Sequence, residues 1–216
     1  ISLLAMQAAR FLSVFVLLSL CSLAFCRSIE PQPLEIPYAN LPYCKNITDT
    51  ALTTYQMCYG FFGTVIAFSN TVRFADPVWI GIGFHAVGSN FEDMEHGDFI
   101  VGTFNSNGTI DTVVDRYCDC ENGGSEPSLD TEFVGGEENI LEFGGSQFQE
   151  SDGSWIGNYY FSRYLNTGDT AADHVIAGGV QHMVWAHGTS NVFGYHSGNK
   201  GKFTADLSDP YNYINQ

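Results

Sequence analysis

The chain has 216 residues, is 44% hydrophobic and 14% aromatic, and carries a formal charge of −16. Those values supply enough apolar side chain for one sizeable core. They exclude a surface built for nucleic acid or an anionic membrane, because both are polyanions and would be repelled.

Residues 1–26 read as a segment that is removed. Arg10 precedes the apolar run FLSVFVLLSLCSLAFC, with small residues around Ala24 and cleavage expected before Arg27. Met6 is the expected initiator. The run is short against the about 20 apolar residues that a membrane helix needs, so a secretory signal peptide is expected. No later segment is apolar enough to span, so no membrane crossing is expected after cleavage. Residues 27–49, with Pro31, Pro33, Pro37 and Pro42, read as an extended arm. The sequons at Asn46 and Asn107 are candidate glycan sites in a secreted chain.

From residue 50 short apolar runs alternate with turn signals. The expected strands are Thr53–Tyr59, Thr64–Phe68, Val78–Phe84, Phe99–Phe104, Ile110–Asp115, Glu138–Phe148, Trp155–Arg163, Gln181–His187 and Val192–Tyr195. The turns are marked by Asn107-Gly108, Asn122-Gly-Gly, Gly135-Gly136, Asp152-Gly153 and Gly178-Gly179. No long stretch keeps a helical period. The 23 glycines suit many tight turns. A single all-β domain over residues 50–204, a sandwich or barrel, follows, with 205–216 as a polar tail.

Cys44, Cys58, Cys118 and Cys120 remain after residue 26. An even count in an oxidising compartment implies two disulfides. A bridge between Cys118 and Cys120 would close a very small ring. Each is therefore expected to reach back to one of Cys44 and Cys58. A four-thiolate zinc site has poor spacing.

The chain has no Gly-rich phosphate loop, HExxH or G-x-S-x-G. Met57 and Met183 lie in strand-like runs and read as core filler. Met94 lies in the polar loop GSNFEDMEHGDFIVG, where a thioether reads either as a lid on a core edge or as a soft metal ligand. Of the histidines His85, His96, His174, His182, His187 and His196, the last stands out. It sits in GYHSGNKG, where flanking glycines would let a planar group approach the backbone.

Seven segments in order resemble the DOMON domain family. VWIGIGF resembles the family's W-x-G-x-G-F strand, and MEHGDFIVGTF its Met-x-x-x-Asp segment with the following strand. DTVVDRY, EPSLD and YYFSRYLNTGD resemble its strand ending in Asp, its Pro-x-x-Asp turn and its F-x-R strand with Thr-x-Asp. HMVWAHG and YHSGNKG resemble its VIWA strand and its Tyr-His segment. The resemblance covers about residues 50 to 203.

It implies an Ig-like antiparallel β-sandwich of roughly ten strands. It also implies one haem b, held by Met94 and His196. Met/His ligation fills both axial positions and raises the potential. The expected role is therefore one-electron transfer or redox sensing rather than catalysis by this chain alone, with a redox protein or small electron carrier as partner. Phe91, Trp79, Tyr195 and Phe193 are candidate walls, and Lys200 or Lys202 a candidate partner for a haem carboxylate. The family often has Arg where Lys200 stands, which would weaken that contact. His96 is a competing ligand; bis-His ligation would lower the potential. The acidic residues Asp115, Asp119, Glu121 and Asp130 are a candidate calcium set. Two other readings stay open: a haem-free module for carbohydrate or a protein partner, and the N-terminal fragment of a copper-dependent monooxygenase. Self-assembly is compatible with either.

Overall fold

The computed structural model describes residues 35–49, 54–85, 94–120 and 126–208. The expected signal peptide, Phe91, Glu121 and the end of the tail lie outside them. Among the described residues, eleven strands form two antiparallel sheets. β1 (Tyr43–Asp49), β2 (Thr54–Phe62), β3 (Val65–Phe74), β8 (Ile140–Gln149) and β9 (Trp155–Tyr164) make a five-stranded sheet in the order β1-β2-β3-β9-β8. β4 (Ile80–His85), β5 (Asp98–Phe104), β6 (Ile110–Tyr117), β7 (Ser128–Leu129), β10 (Val180–His187) and β11 (Lys200–Asp206) make a six-stranded one, in the order β11-β10-β4-β5-β6-β7. The all-β sandwich expected from the sequence is therefore the observed architecture.

Alternation builds the core. Tyr55, Met57 and Tyr59 of β2, Ile66, Phe68 and Val72 of β3, and Tyr159 and Phe161 of β9 point inward. They meet Ile80, Ile82 and Phe84 of β4, Ile100 and Phe104 of β5, and Met183 of β10. Met57 and Met183 are fully buried core residues. Both open edges of the sandwich are joined. On one side Lys45 Nζ donates to the Thr204 carbonyl, and Tyr59 Oη to that of Asp206 at 2.5 Å. On the other, Gln147 N–H donates to the Gly108 carbonyl at 2.6 Å, beside a Thr109–Ser146 bridge.

Four segments depart from the expected strands, among them the two-residue β7, which no expected strand covered. Residues 43–49, read as arm, form β1, because their backbone pairs in register with β2 from Tyr43–Tyr59 onward. Val192–Tyr195 is loop rather than strand: Val192 and Tyr195 are 77% and 75% exposed. The last strand is instead Lys200–Asp206, whose glycine and two lysines hid it.

The cysteine pairing also differs. Cys44 and Cys58 sit directly opposite each other on β1 and β2, with Cα atoms 4.0 Å apart, and are bridged. Cys118 and Cys120 pair with each other. The expected crossed pairing fails on distance: β1 and β2 form the edge of one sheet beside β11, whereas Cys118 follows β6 near the opposite edge of the other sheet.

Between the sheets lies a buried ionic cluster. Arg163 of β9 is fully buried, and its Nη1 donates to both carboxylate oxygens of Asp98 on β5, at 3.1 and 2.9 Å. Nη2 lies 3.1 Å from Asp173, and Nη1 3.9 Å from Asp115 of β6. Asp130 is buried nearby, and one guanidinium faces four carboxylic acids. Burial, reinforced by Asp98 and Asp173, pushes Asp130 up to about 8. Burial raises Asp173 to about 6 against the pull of Arg163. Asp115 is raised well above the carboxylate range by burial, with Asp98 adding to it.

These folded-state values lie above the unfolded ones, so the native state binds more protons. The associated stability is fully present below about pH 4 and is lost as pH rises through about 8. The urea midpoint should therefore fall between pH 5 and pH 9, and Asp130→Asn should flatten that fall; a midpoint rising over this range contradicts the assignment. Arg163→Met leaves buried carboxylates without their cation and should cost about 3–5 kcal/mol in urea unfolding at pH 7.

Candidate functional site

The central strands β4, β5 and β10 of the six-stranded sheet are apolar on both faces. On β4, Ile80, Ile82 and Phe84 enter the core, so Gly81 and Gly83 face outward. Phe99 and Val101 of β5 and Val184 and Ala186 of β10 share that outer face. An antiparallel sheet usually presents polar residues there. Here the apolar face is the floor of a cavity of about 500 Å³, within the range of small-molecule and cofactor sites. The glycines keep the floor flat. A Cβ on Gly83 would overlap the Phe99 ring and the Val184 methyls.

Two segments outside the strands bring the candidate ligands to this floor. Met94 opens a turn just before β5, closed by Gly97 N–H donating to the Met94 carbonyl at 3.0 Å. The turn is pinned to the end of β6: His96 N–H donates to the Cys118 carbonyl at 2.7 Å, and Cys118 N–H to that of Gly97 at 3.0 Å. Met94 packs against the buried cluster that Trp79, Phe99, Val101, Cys118 and Cys120 form. His196 lies in the loop between β10 and β11 and is buried. Its Nδ1 is 3.0 Å from the Ser197 carbonyl. A carbonyl only accepts, so Nδ1 carries the proton and the lone pair of the neutral ring is on Nε2. Burial holds His196 below the ordinary histidine value, and Lys200 adds to that against the Ser197 bond.

Met94, His196, Tyr195, Trp79, Phe193 and Lys200 all line the one cavity. Trp79 packs against Phe193 at 5.0 Å and Tyr195 against His196 at 5.1 Å. Lys202, Glu126 and Pro127 line the cavity as well. In the sequence, Glu126 and Pro127 stand out only within the EPSLD segment and β4 only within VWIGIGF, not as site residues; alternation on β4, β5 and β10 was the signal for the floor.

His96 is exposed. Its Nδ1 lies 3.2 Å from Tyr117 Oη, and it is not among the residues lining the cavity. The candidate calcium residues do not converge as a set. Asp115 and Asp130 are buried near Arg163, whereas the Asp119 side chain is 65% exposed. Asp98, Asp115 and Asp173 do converge, around the same guanidinium. Asn46 and Asn107 are exposed.

The backbone beside each candidate ligand is unusual. Among the described residues only His96 (φ 53°) and Ser197 (φ 55°) are non-glycine residues with positive φ. Left-handed backbone costs an L-residue about 1–2 kcal/mol, and such strain gathers where a site requires it.

Trp79 closes the wall by packing on Gly188, where a Cβ would overlap the indole. Gly188→Ala should displace that ring. The expected result is a shifted Trp emission and about 1–3 kcal/mol lost in denaturant unfolding; unchanged emission would show that the indole is not seated there.

A scan against family models matches the DOMON domain over residues 52–188. No curated protein sequence matches the chain. Among solved structures, the cytochrome b domain of pyranose dehydrogenase from Coprinopsis cinerea aligns over 75% of this chain and 82% of that one. The alignment has 14% identity and a TM-score of 0.43. The family match spans more than half of the sequence and falls on the strands that build the cavity floor, and on that ground the chain belongs to the DOMON family.

Proposed function

We propose that this DOMON domain is a secreted b-type cytochrome module, with one haem seated on the outer face of the six-stranded sheet. The carrying observation is that Met94 and His196, about a hundred residues apart in sequence, line the same cavity over an apolar floor. The residues fit the group. Gly83 lets the Phe99 ring and Val184 lie low on the sheet, and with Gly81 it gives a flat ring system a level floor to rest on. A thioether and an imidazole whose free lone pair is on Nε2 are a donor set suited to haem iron. Lys200 and Lys202 stand at the mouth, where carboxylates of the group would meet solvent. When bound, the haem would supply reversible one-electron exchange.

The chain's own residues do the rest. Met94 and His196 would together hold the iron and leave it no free coordination site for oxygen or substrate, which disfavours catalysis by this domain alone. Trp79, Phe99, Val101, Val184 and Phe193 line the cavity and would keep water from the group. The Ser197 carbonyl holds the Nδ1–H of His196, which leaves Nε2 as its donor atom. Tyr195 is exposed at the rim, where an electron donor or acceptor would approach: a redox protein or a small carrier. The two disulfides and the exposed sequon asparagines agree with an oxidising compartment.

The test is optical. Protein expressed with haem supplied should show a Soret band and a low-spin spectrum that sharpens on reduction by dithionite. Met94→Ala and His196→Ala should each destroy the six-coordinate signature. A transparent protein in excess haemin would return the cavity to a haem-free role, in which Trp79 and Tyr195 offer stacking faces to a sugar.

A further inference from the structure

The loop carrying His196 is fastened at its two ends. Gly188 N–H donates to the Trp79 carbonyl at 3.0 Å and Trp79 N–H to the Ser190 carbonyl at 2.9 Å. At the far end His187 N–H donates to the Asn199 carbonyl and Asn199 N–H to that of His196, both at 3.0 Å. Between these ties Val192 and Tyr195 are open to solvent. The apolar anchor in this stretch is Phe193, which packs with the cluster beneath the cavity.

Phe193 is held from two sides. Trp79 lies against it, and the Arg116 guanidinium covers its ring at 4.0 Å from the centroid. Arg116 projects from the outer face of β6, partly buried, and its Nη1 donates to the Pro127 carbonyl at 2.8 Å. Pro127 and Phe193 both line the cavity, yet neither belongs to a strand. One side chain therefore joins the two irregular segments that wall the site. The same strand end binds the Met94 turn through the backbone of Cys118.

We propose that Arg116 is a positioning residue for the cofactor. Its guanidinium clamps the His196 loop to the Glu126–Pro127 segment, and so holds the imidazole over the floor that Met94 also faces. The proposal rests on the haem reading for the identity of the cofactor, but the clamp itself belongs to the haem-free chain as well. The task needs a planar cation that stacks on a ring while donating sideways to a carbonyl. Arginine does both, and lysine offers only a point charge.

The experiment compares the full chain with Arg116→Gln, Arg116→Lys and Phe193→Leu. In the haem-free proteins, chymotryptic cleavage at Tyr195 should be at least about tenfold faster in all three, at an unfolding midpoint that still marks a folded sandwich. In the haem-loaded proteins, transfer of haem to apomyoglobin should accelerate by a similar factor. A high-spin component from lost His196 ligation should appear, which a purely structural role would not produce. Arg116→Gln combined with Phe193→Leu should be no worse than either alone, since both remove one contact. Cleavage and haem release within twofold of wild type in Arg116→Gln and Phe193→Leu would overturn the clamp, as would full rescue by lysine. A wild type that takes up no haem, with the loop still loosened by Arg116→Gln, would discard the haem reading and keep the clamp.

Discussion

Everything about the site follows from three central strands, β4, β5 and β10, that are apolar on both faces of their sheet. In β4 every residue from Ile80 to His85 is buried, although only alternate side chains reach the core. The outward residues Gly81 and Gly83, with Phe99, Val101, Val184 and Ala186 beside them, form a surface that water does not favour. A contiguous apolar patch of this kind on a folded domain marks a binding site. The loops that wall it fold over only part of it, which leaves a cavity rather than a second core.

The opposite side of the same sheet holds the ionic cluster that fixes where the site begins. Asp98 is the first residue of β5, four positions after Met94. Its carboxylate accepts from Arg163 of the facing sheet and from the backbone N–H of His174 at 2.9 Å. His174 in turn donates from Nε2 to the His96 carbonyl at 2.6 Å, within the Met94 turn. The turn is thus fastened to a buried charge pair below and to Cys118 beside it. Burying four carboxylic acids around one arginine is costly for stability. The return is a rigid origin for a strand whose preceding turn carries a candidate ligand.

Strain and covalent linkage gather around the same two segments. His96 and Ser197 sit in left-handed backbone beside Met94 and His196. Cys118 and Cys120 belong to the buried cluster against which Met94 packs. Loops without regular structure ordinarily hold side chains loosely. Here hydrogen bonds, a short covalent ring and the Arg116 stack replace the missing ladder.

Period-two alternation and turn residues in the sequence determined the class of fold and eight of the strands, because those signals are local. The seven ordered segments determined the family, and with it Met94 and His196 as the residues to watch. Tertiary structure alone decided the rest. β1 was hidden because its pairing with β2, rather than its own composition, makes it a strand. Val192–Tyr195 looked like a strand, but its aromatics Phe193 and Tyr195 line the cavity rather than a ladder, and Val192 is open to solvent. The disulfide pairing depended on which sheet edges lie near each other, a long-range fact that spacing along the chain does not encode. The convergence of Met94, His196, Trp79 and Phe193 on one floor likewise required the sheet order, since only the stacking of β10 and β4 beside β5 brings those distant residues to a common face.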